Sequence, residues 1–290
     1  MKTMLDVWSL AKEFPSPDGP SVVVEHFDLK IAEGEFVCLI GHSGCGKSTV
    51  LSILMGLTRQ TRGTVILGAK ELDGPGCDRG VVFQSSALLP WLSVRDNVQL
   101  AVDQVGGEKR AAERRRLADH YLAMVGLEDA GEARPGDLSA GMRQRVGIAR
   151  AFATEPRLLL LDEPFSLLDA ITRLELQDQL VDLCERTGKT VLMVTHDVDE
   201  ALLLADRIVM MTSGPAARIG EILEVPFGRP RDRSEILECA TYYQARDRML
   251  SFLESGGHAG RPRPTLALAS ETSHGAPAGS AAVGSQTARQ

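Results

Sequence analysis

Residues 35–57 read EFVCLIGHSGCGKSTVLSILMGL. An apolar, β-branched run (EFVCLIG, 35–41) enters a glycine-rich loop, and VLSILMGL continues from it as a helix. Gly41, Gly46, Lys47 and Ser48 fit the spacing G-x-x-x-x-G-K-[ST]. The strand before and the helix after meet the context that this spacing requires. Glycines let the backbone curl until successive N–H groups point inward, which makes an anion nest at a helix N-terminus. Lys47 adds a point charge for β- and γ-phosphates, and the Ser48 hydroxyl can ligate Mg²⁺. A chance match is expected about once in a hundred chains of this length. Gly41, His42, Ser43, Gly44, Cys45, Gly46, Lys47, Ser48 and Thr49 are therefore the expected nucleotide cradle. Cys45 is either a small loop residue or a redox-sensitive thiol.

Outward from that loop, VVVEHFDLKI (22–31) and GTVILG (63–68) read as strands, with a turn at Glu33-Gly34. From about Ser93 the pattern turns helical, and Leu117, Tyr121, Leu122 and Val125 fall on one face before a capping Gly126. After Ser139 the chain alternates: a helix at about 140–154, a strand at 158–161, a helix at about 169–187, a strand at 190–194, a short helix at 197–205 and a strand at 207–212. Such alternation predicts a parallel sheet with helices on its faces. Residues 255–290 are small, polar and rich in Pro and Gly, and are expected to form a disordered tail.

RLLLLDEPFSLLD (157–169) places Asp162 and Glu163 just after four leucines. A strand of that kind ends at the carboxyl edge of the sheet, where ligands bind in open α/β folds. Asp162 can hold Mg²⁺ through water, and Glu163 can polarise the water that attacks a γ-phosphate. LSAGMRQRVGIARA (138–151) opens with Ser139, a good N-cap. Gly141, in the first turn, permits close approach of backbone to a phosphate.

Together these segments make residues 1–255 resemble the ATP-binding-cassette (ABC) ATPase family. LSAGM resembles that family's signature, usually LSGGQ, with Ala140 and Met142 as departures. The resemblance implies an α/β fold: a mostly parallel, RecA-like sheet core, an N-terminal antiparallel β-subdomain and an inserted helical subdomain near 88–155, all within 1–254. It also implies ATP and Mg²⁺ as ligands. Gln84 in VVFQSSALLPW resembles the glutamine that joins the Mg²⁺ site, and His196 in LMVTHDVDEA resembles the switch histidine at the γ-phosphate. SLLD (166–169) resembles the dimer-interface loop SALD, and Phe14 stands where an aromatic stacks on adenine.

In this family the signature of one cassette completes the ATP site of its partner. The resemblance therefore implies a second ABC ATPase subunit, either a copy or a paralogue, joined head to tail. It further implies integral membrane permease subunits and a periplasmic or lipid-anchored solute-binding protein, with the chain on the inner face of the cell membrane. Lys47 and Ser139 lie 92 positions apart with no sustained heptad between them, which disfavours the soluble DNA-repair and translation members. GHSGCGKST, LLPWLSVRDNV, LSAGMRQRVGIARA and the segment 226–253 resemble the nitrate/sulfonate/taurine importer branch, with His42 pointing to nitrate or nitrite and taurine or another sulfonate as the alternative. The apolar stretch SSALLPWLSV (85–94) is either part of a groove for a membrane subunit or subdomain core.

Composition agrees with this reading. Of 290 residues, 43% are hydrophobic and 24% charged, which excludes wholesale disorder. A net charge of −7 gives no support to a nucleic-acid role. No apolar run approaches the roughly 20 residues of a membrane-spanning helix, and no charged and apolar leader opens the chain. The five cysteines lack a CxxC spacing and read as reduced thiols.

Overall fold

Alternating burial builds the first strands, and uninterrupted apolar runs build the later ones. In the computed structural model, residues 2–17, 19–107 and 109–257 are described. The chain opens with β1 (Thr3–Phe14), β2 (Ser21–Ala32) and β3 (Phe36–Ile40), then α1 (Lys47–Leu54), β4 (Arg62–Leu67), β5 (Lys70–Glu71) and β6 (Arg79–Val82). Three helices follow: α2 (Val94–Val105), α3 (Ala111–Met124) and α4 (Ala140–Ala153). The remainder runs β7 (Leu158–Asp162), α5 (Ala170–Thr187), β8 (Thr190–Val194), α6 (Val198–Leu204), β9 (Arg207–Met211), β10 (Ile219–Glu224), α7 (Arg233–Glu238) and α8 (Ala240–Glu254). Among the described residues, no helix is long and apolar enough to cross a membrane.

Two sheets result. Antiparallel β2-β1-β4-β5 alternates polar and apolar residues, so Phe27, Leu29 and Ile31 are buried while Asp28 and Lys30 face outward. The second sheet, β10-β9-β3-β8-β7-β6, is parallel except for β10, which runs antiparallel to β9. The turn at Glu33-Gly34 is therefore a crossing between sheets rather than a hairpin, since β2 pairs with β1 and β3 with β8 and β9.

Strand alternation divides the core in two. Cys38, Ile40, Leu159, Leu161 and Met193 point to the face covered by α2, α4, α5, α6 and α8. Val37, Leu39, Leu158, Leu160, Leu192 and Val194 point to the face covered by α1 and the antiparallel sheet. Coverage on both faces explains why these strands read as continuous apolar runs. The connection between β9 and β10 is bonded to β2, by Ala216 N to Val22 O at 2.9 Å and Glu25 N to Ala217 O at 3.0 Å.

Parallel pairing brings the carboxyl ends of β3, β7 and β8 to one rim. Asp162 pairs with Val194, and Leu39 pairs with Val194 from the other side. Past the strand ends, Glu163 N donates to Val194 O at 2.9 Å and Thr195 N to Leu39 O at 3.2 Å. Helices α2, α3 and α4 lie between β6 and β7 in the chain. Ser255–Gly257, placed by the sequence in the tail, continue α8 as a turn, with Ser213 N bonded to Gly256 O at 3.0 Å. Residues 258–290 lie outside the described residues.

Candidate active site

The loop after β3 curls because glycines occupy its left-handed positions. Gly44 has φ +79° and Gly46 φ +100°, and a Cβ at Gly46 would come within 2.8 Å of Val24 on β2. Lys47, 7% exposed, donates its ammonium to the carbonyls of Gly41 at 2.7 Å and His42 at 2.9 Å. His42, Ser43, Gly44 and Ser48 are exposed, Thr49 is half-buried, and Cys45 is buried. Burial pushes the Cys45 thiol above its ordinary value, against the pull of Lys47, which makes it a poor nucleophile and favours the small-residue reading.

The acidic pair sits at the end of β7. Asp162 is half-buried, and burial first, then the Glu163 carboxylate, raise its pKa while Lys47 lowers it. Glu163 has φ +43°, a backbone region that L-residues enter only when their surroundings hold them there. That conformation turns its carboxylate to His196, whose Nδ1 lies 3.1 Å from Glu163 Oε2. Ser166 folds back, its hydroxyl donating to Glu163 O at 3.0 Å.

Gln84, just beyond β6, donates Nε2 to Ser166 Oγ at 3.0 Å, so it lies against the loop that follows Glu163. The same connection is hooked to α4. Gln144 Nε2 donates to Phe83 O at 3.1 Å, and Arg150 donates to Ser86 O and Ala87 O, both at 2.8 Å. Ser139 caps α4 as expected, accepting from Met142 N at 3.2 Å. The glycine at 141 has an added reason: a Cβ there would lie 2.4 Å from Thr172 Cγ2, so α4 packs directly on the start of α5. No hydrogen bond or ion pair among the described residues joins 138–142 to 41–49. Asp169 caps α5 by accepting from Thr172 N at 3.0 Å, and its hydrogen bonding with Thr172 lowers its pKa.

Phe14 ends β1 opposite Ser21 and is 40% exposed, with the Lys12 ammonium 4.8 Å from its ring centroid. It belongs to the sheet whose Val23 and Val24 cover Gly46. The stretch 85–94 divides between its two readings: Leu88 packs on the core, whereas Trp91 is 68% exposed.

Sequence reasoning missed several bonds at this site. His42 Nε2 is hydrogen-bonded to Leu253 O, which ties the loop to the end of α8. Arg173 Nη2 donates to Leu168 O at 3.1 Å, and buried Glu200 accepts from Gln177 Nε2 at 2.8 Å. Burial raises the Glu200 pKa. Their partners are backbone carbonyls or residues distant in sequence, so no local pattern announces them. Ser48, Gln84 and Asp162 offer a hydroxyl, an amide oxygen and a carboxylate, hard donors that suit Mg²⁺ shared with phosphate oxygens. Among the described residues, no group of three or more His, Cys, Asp or Glu could hold a metal by itself.

Known proteins resemble this chain in sequence and fold. The ABC transporter family model matches residues 24–166. The bicarbonate transport ATP-binding protein CmpD of Synechocystis sp. is 54% identical over 249 residues, covering 86% of this chain and 88% of that protein. The nitrate import ATP-binding protein NrtD of Synechococcus elongatus is 52% identical over 244 residues, covering 84% and 89%. The dimeric post-hydrolysis state of the ATP-binding cassette MJ0796, bound to ADP and Pi, has a TM-score of 0.68 at 32% identity and covers 78% of this chain and 100% of that one. Identity of more than half over most of both chains places this chain in the ABC transporter family, as an ATP-binding subunit whose hydrolysis of ATP is coupled to transport.

Proposed function

We propose that the chain powers import of a small oxyanion, nitrate first, as one half of a head-to-tail pair of cassettes on the cytoplasmic face of the membrane. The observation that carries the pairing is the separation of two half-sites: the loop 41–49 and the turn 138–142 belong to one chain yet share no bond. In a head-to-tail pair, Ser139 and the free N–H groups of the first α4 turn, Gly141 included, would meet the nucleotide held by the partner's loop. The partner is a copy or a paralogous cassette.

Each residue then has a task in the half-site. Backbone N–H groups of 41–49 cradle the phosphates, and Lys47, already inside the loop, supplies the compensating charge. Ser48, Gln84 and Asp162 would hold Mg²⁺, which would offset the charge of the phosphates. Gln84 has its amide nitrogen on Ser166, so its amide oxygen is the end available to the cation. Glu163 accepts a proton from the attacking water. His196 engages Glu163 through Nδ1 and keeps Nε2 for the γ-phosphate. Phe14 stacks on the adenine.

Trp91, exposed beside the Gln84 connection, would receive a permease subunit's coupling helix, and a solute-binding protein would deliver cargo outside. Nitrate is supported by the resemblance of the loop variant His42 and of segment 226–253, and by the relative named for nitrate import. The relative named for bicarbonate transport supports bicarbonate as a second reading. Reconstitution with the permease tests the choice. ATPase stimulated by nitrate-loaded binding protein supports the first reading, stimulation by bicarbonate alone selects the second, and stimulation by taurine alone overturns both.

A further inference from the structure

Two loops meet at the acidic rim, and one side chain joins them. Arg173, in the first turn of α5, donates Nη2 to Leu168 O at 3.1 Å, and its Nη1 lies 3.8 Å from Asp197 Oδ2. Its Nε is buried without a hydrogen bond. Asp197 in turn organises the segment after β8. It caps α6 through bonds of 3.0 Å from Asp199 N and from Glu200 N, and its own N–H donates to Thr195 Oγ1 at 3.0 Å. His196 lies between Thr195 and Asp197, so its backbone is fixed by whatever holds Asp197.

The charges around this bracket are unbalanced without it. Arg173, Glu163, Ser166, His196 and Glu200 line a cavity of about 40 Å³, room for roughly one water. Glu163, Asp197 and Glu200 place three carboxyl groups around that space, and the guanidinium is its one permanent cation among the described lining residues. A planar guanidinium serves a carbonyl and a carboxylate at once from a rigid fork, which an ammonium on a flexible stem does not.

We propose that Arg173 is a positioning residue for hydrolysis: by holding Leu168 O and Asp197 together it fixes His196 and Glu163 relative to the loop Ser166–Asp169. This rests on the assignment of Glu163 and His196 to the hydrolytic site.

The test uses the full chain, with steady-state ATPase, ATP affinity by equilibrium dialysis, and Tm. Arg173→Ala is expected to lower kcat about tenfold or more while changing ATP affinity less than about twofold. Arg173→Lys recovers only a minor part of the rate. Asp197→Asn keeps a capping side chain but removes the charge. Because the two substitutions break one bracket, the double variant is expected to be no slower than the slower single. Arg173→Ala at the parental rate, full recovery by lysine, or multiplicative effects with Asp197→Asn would each overturn the proposal. Glu163→Gln serves as control: if it turns over at the parental rate, the assignment of Glu163 fails. If it is inactive while Arg173→Ala is normal, only the role of Arg173 fails.

Discussion

At the rim of the parallel sheet, functional groups are set by strand register; in the helices between β6 and β7, they are set by a few side-chain hooks. Asp162 is paired with Val194, Leu39 with both Val194 and Val209, and Glu163 N continues the ladder to Val194 O. Moving any of these would break several backbone bonds at once. Helix α4 meets the Gln84 connection through Gln144 and Arg150, and meets α5 through Thr172 against Gly141 and through Arg145 3.6 Å from Glu175. These hooks add to the apolar packing of α4 on the sheet. The contrast separates groups placed by backbone ladders from groups placed by side chains.

The largest effect is expected at the rim. Glu163→Gln should lower kcat by about 10²–10⁴-fold with ATP binding retained, read by single-turnover hydrolysis and equilibrium binding. Normal hydrolysis would take Glu163 out of the base role. Lys47→Ala should act on affinity instead. Loss of a charge-assisted contact worth about 1.5–3 kcal/mol weakens ATP binding tenfold or more, and unchanged binding would contradict the cradle.

Between the regions, Gln144→Ala combined with Arg150→Ala should leave ATP affinity near parental and lower turnover only severalfold. The severed hooks link α4 to the Gln84 connection and make no bond to the loop 41–49. A loss as large as that of Glu163→Gln would erase the distinction between rim and hooks.

The smallest effect concerns Glu200. Burial raises its carboxyl above the ordinary value of 4.5, so the folded state binds that proton more tightly than the unfolded chain does. Its contribution is fully present below pH 4.5 and is lost as pH rises through the raised folded value. Glu200→Gln should therefore raise Tm slightly near neutrality, with the gain shrinking as the pH approaches 4.5. A lower Tm at neutral pH would mean that the ionised carboxylate stabilises the rim.

The same contrast governs what could be read from sequence. Strand ends are local: four leucines before Asp162 and Glu163 announce a buried strand and its edge, and Gly41 to Ser48 announce a phosphate loop. The N-terminus read as strand-like, but the bounds of β1 were not legible, because Ser9 takes φ +43° and four register shifts interrupt its pairing with β2. Strand β6 is four residues long and contains Gly80, too short for a periodicity to show. Helices α7 and α8 lay in a segment noticed for its resemblance but not resolved into elements. The hooks were illegible for a different reason. Arg150, Gln144, Arg173 and His42 bond to carbonyls 64, 61, 5 and 211 positions away, and a carbonyl carries no sequence signal. Gly141 was read for its approach to phosphate, while its contact with Thr172 depends on how α4 crosses α5.

The central claim is that the half-sites of two chains complete one another, and trans-complementation measures it most directly. Ser139→Arg spoils the signature and Lys47→Ala spoils the cradle, so each variant alone should be inactive while Ser139→Arg still binds ATP. Mixing them pairs the intact loop of one with the intact signature of the other, and the account predicts that ATPase activity returns in part. Parental turnover by Ser139→Arg alone, or no activity on mixing, would contradict it.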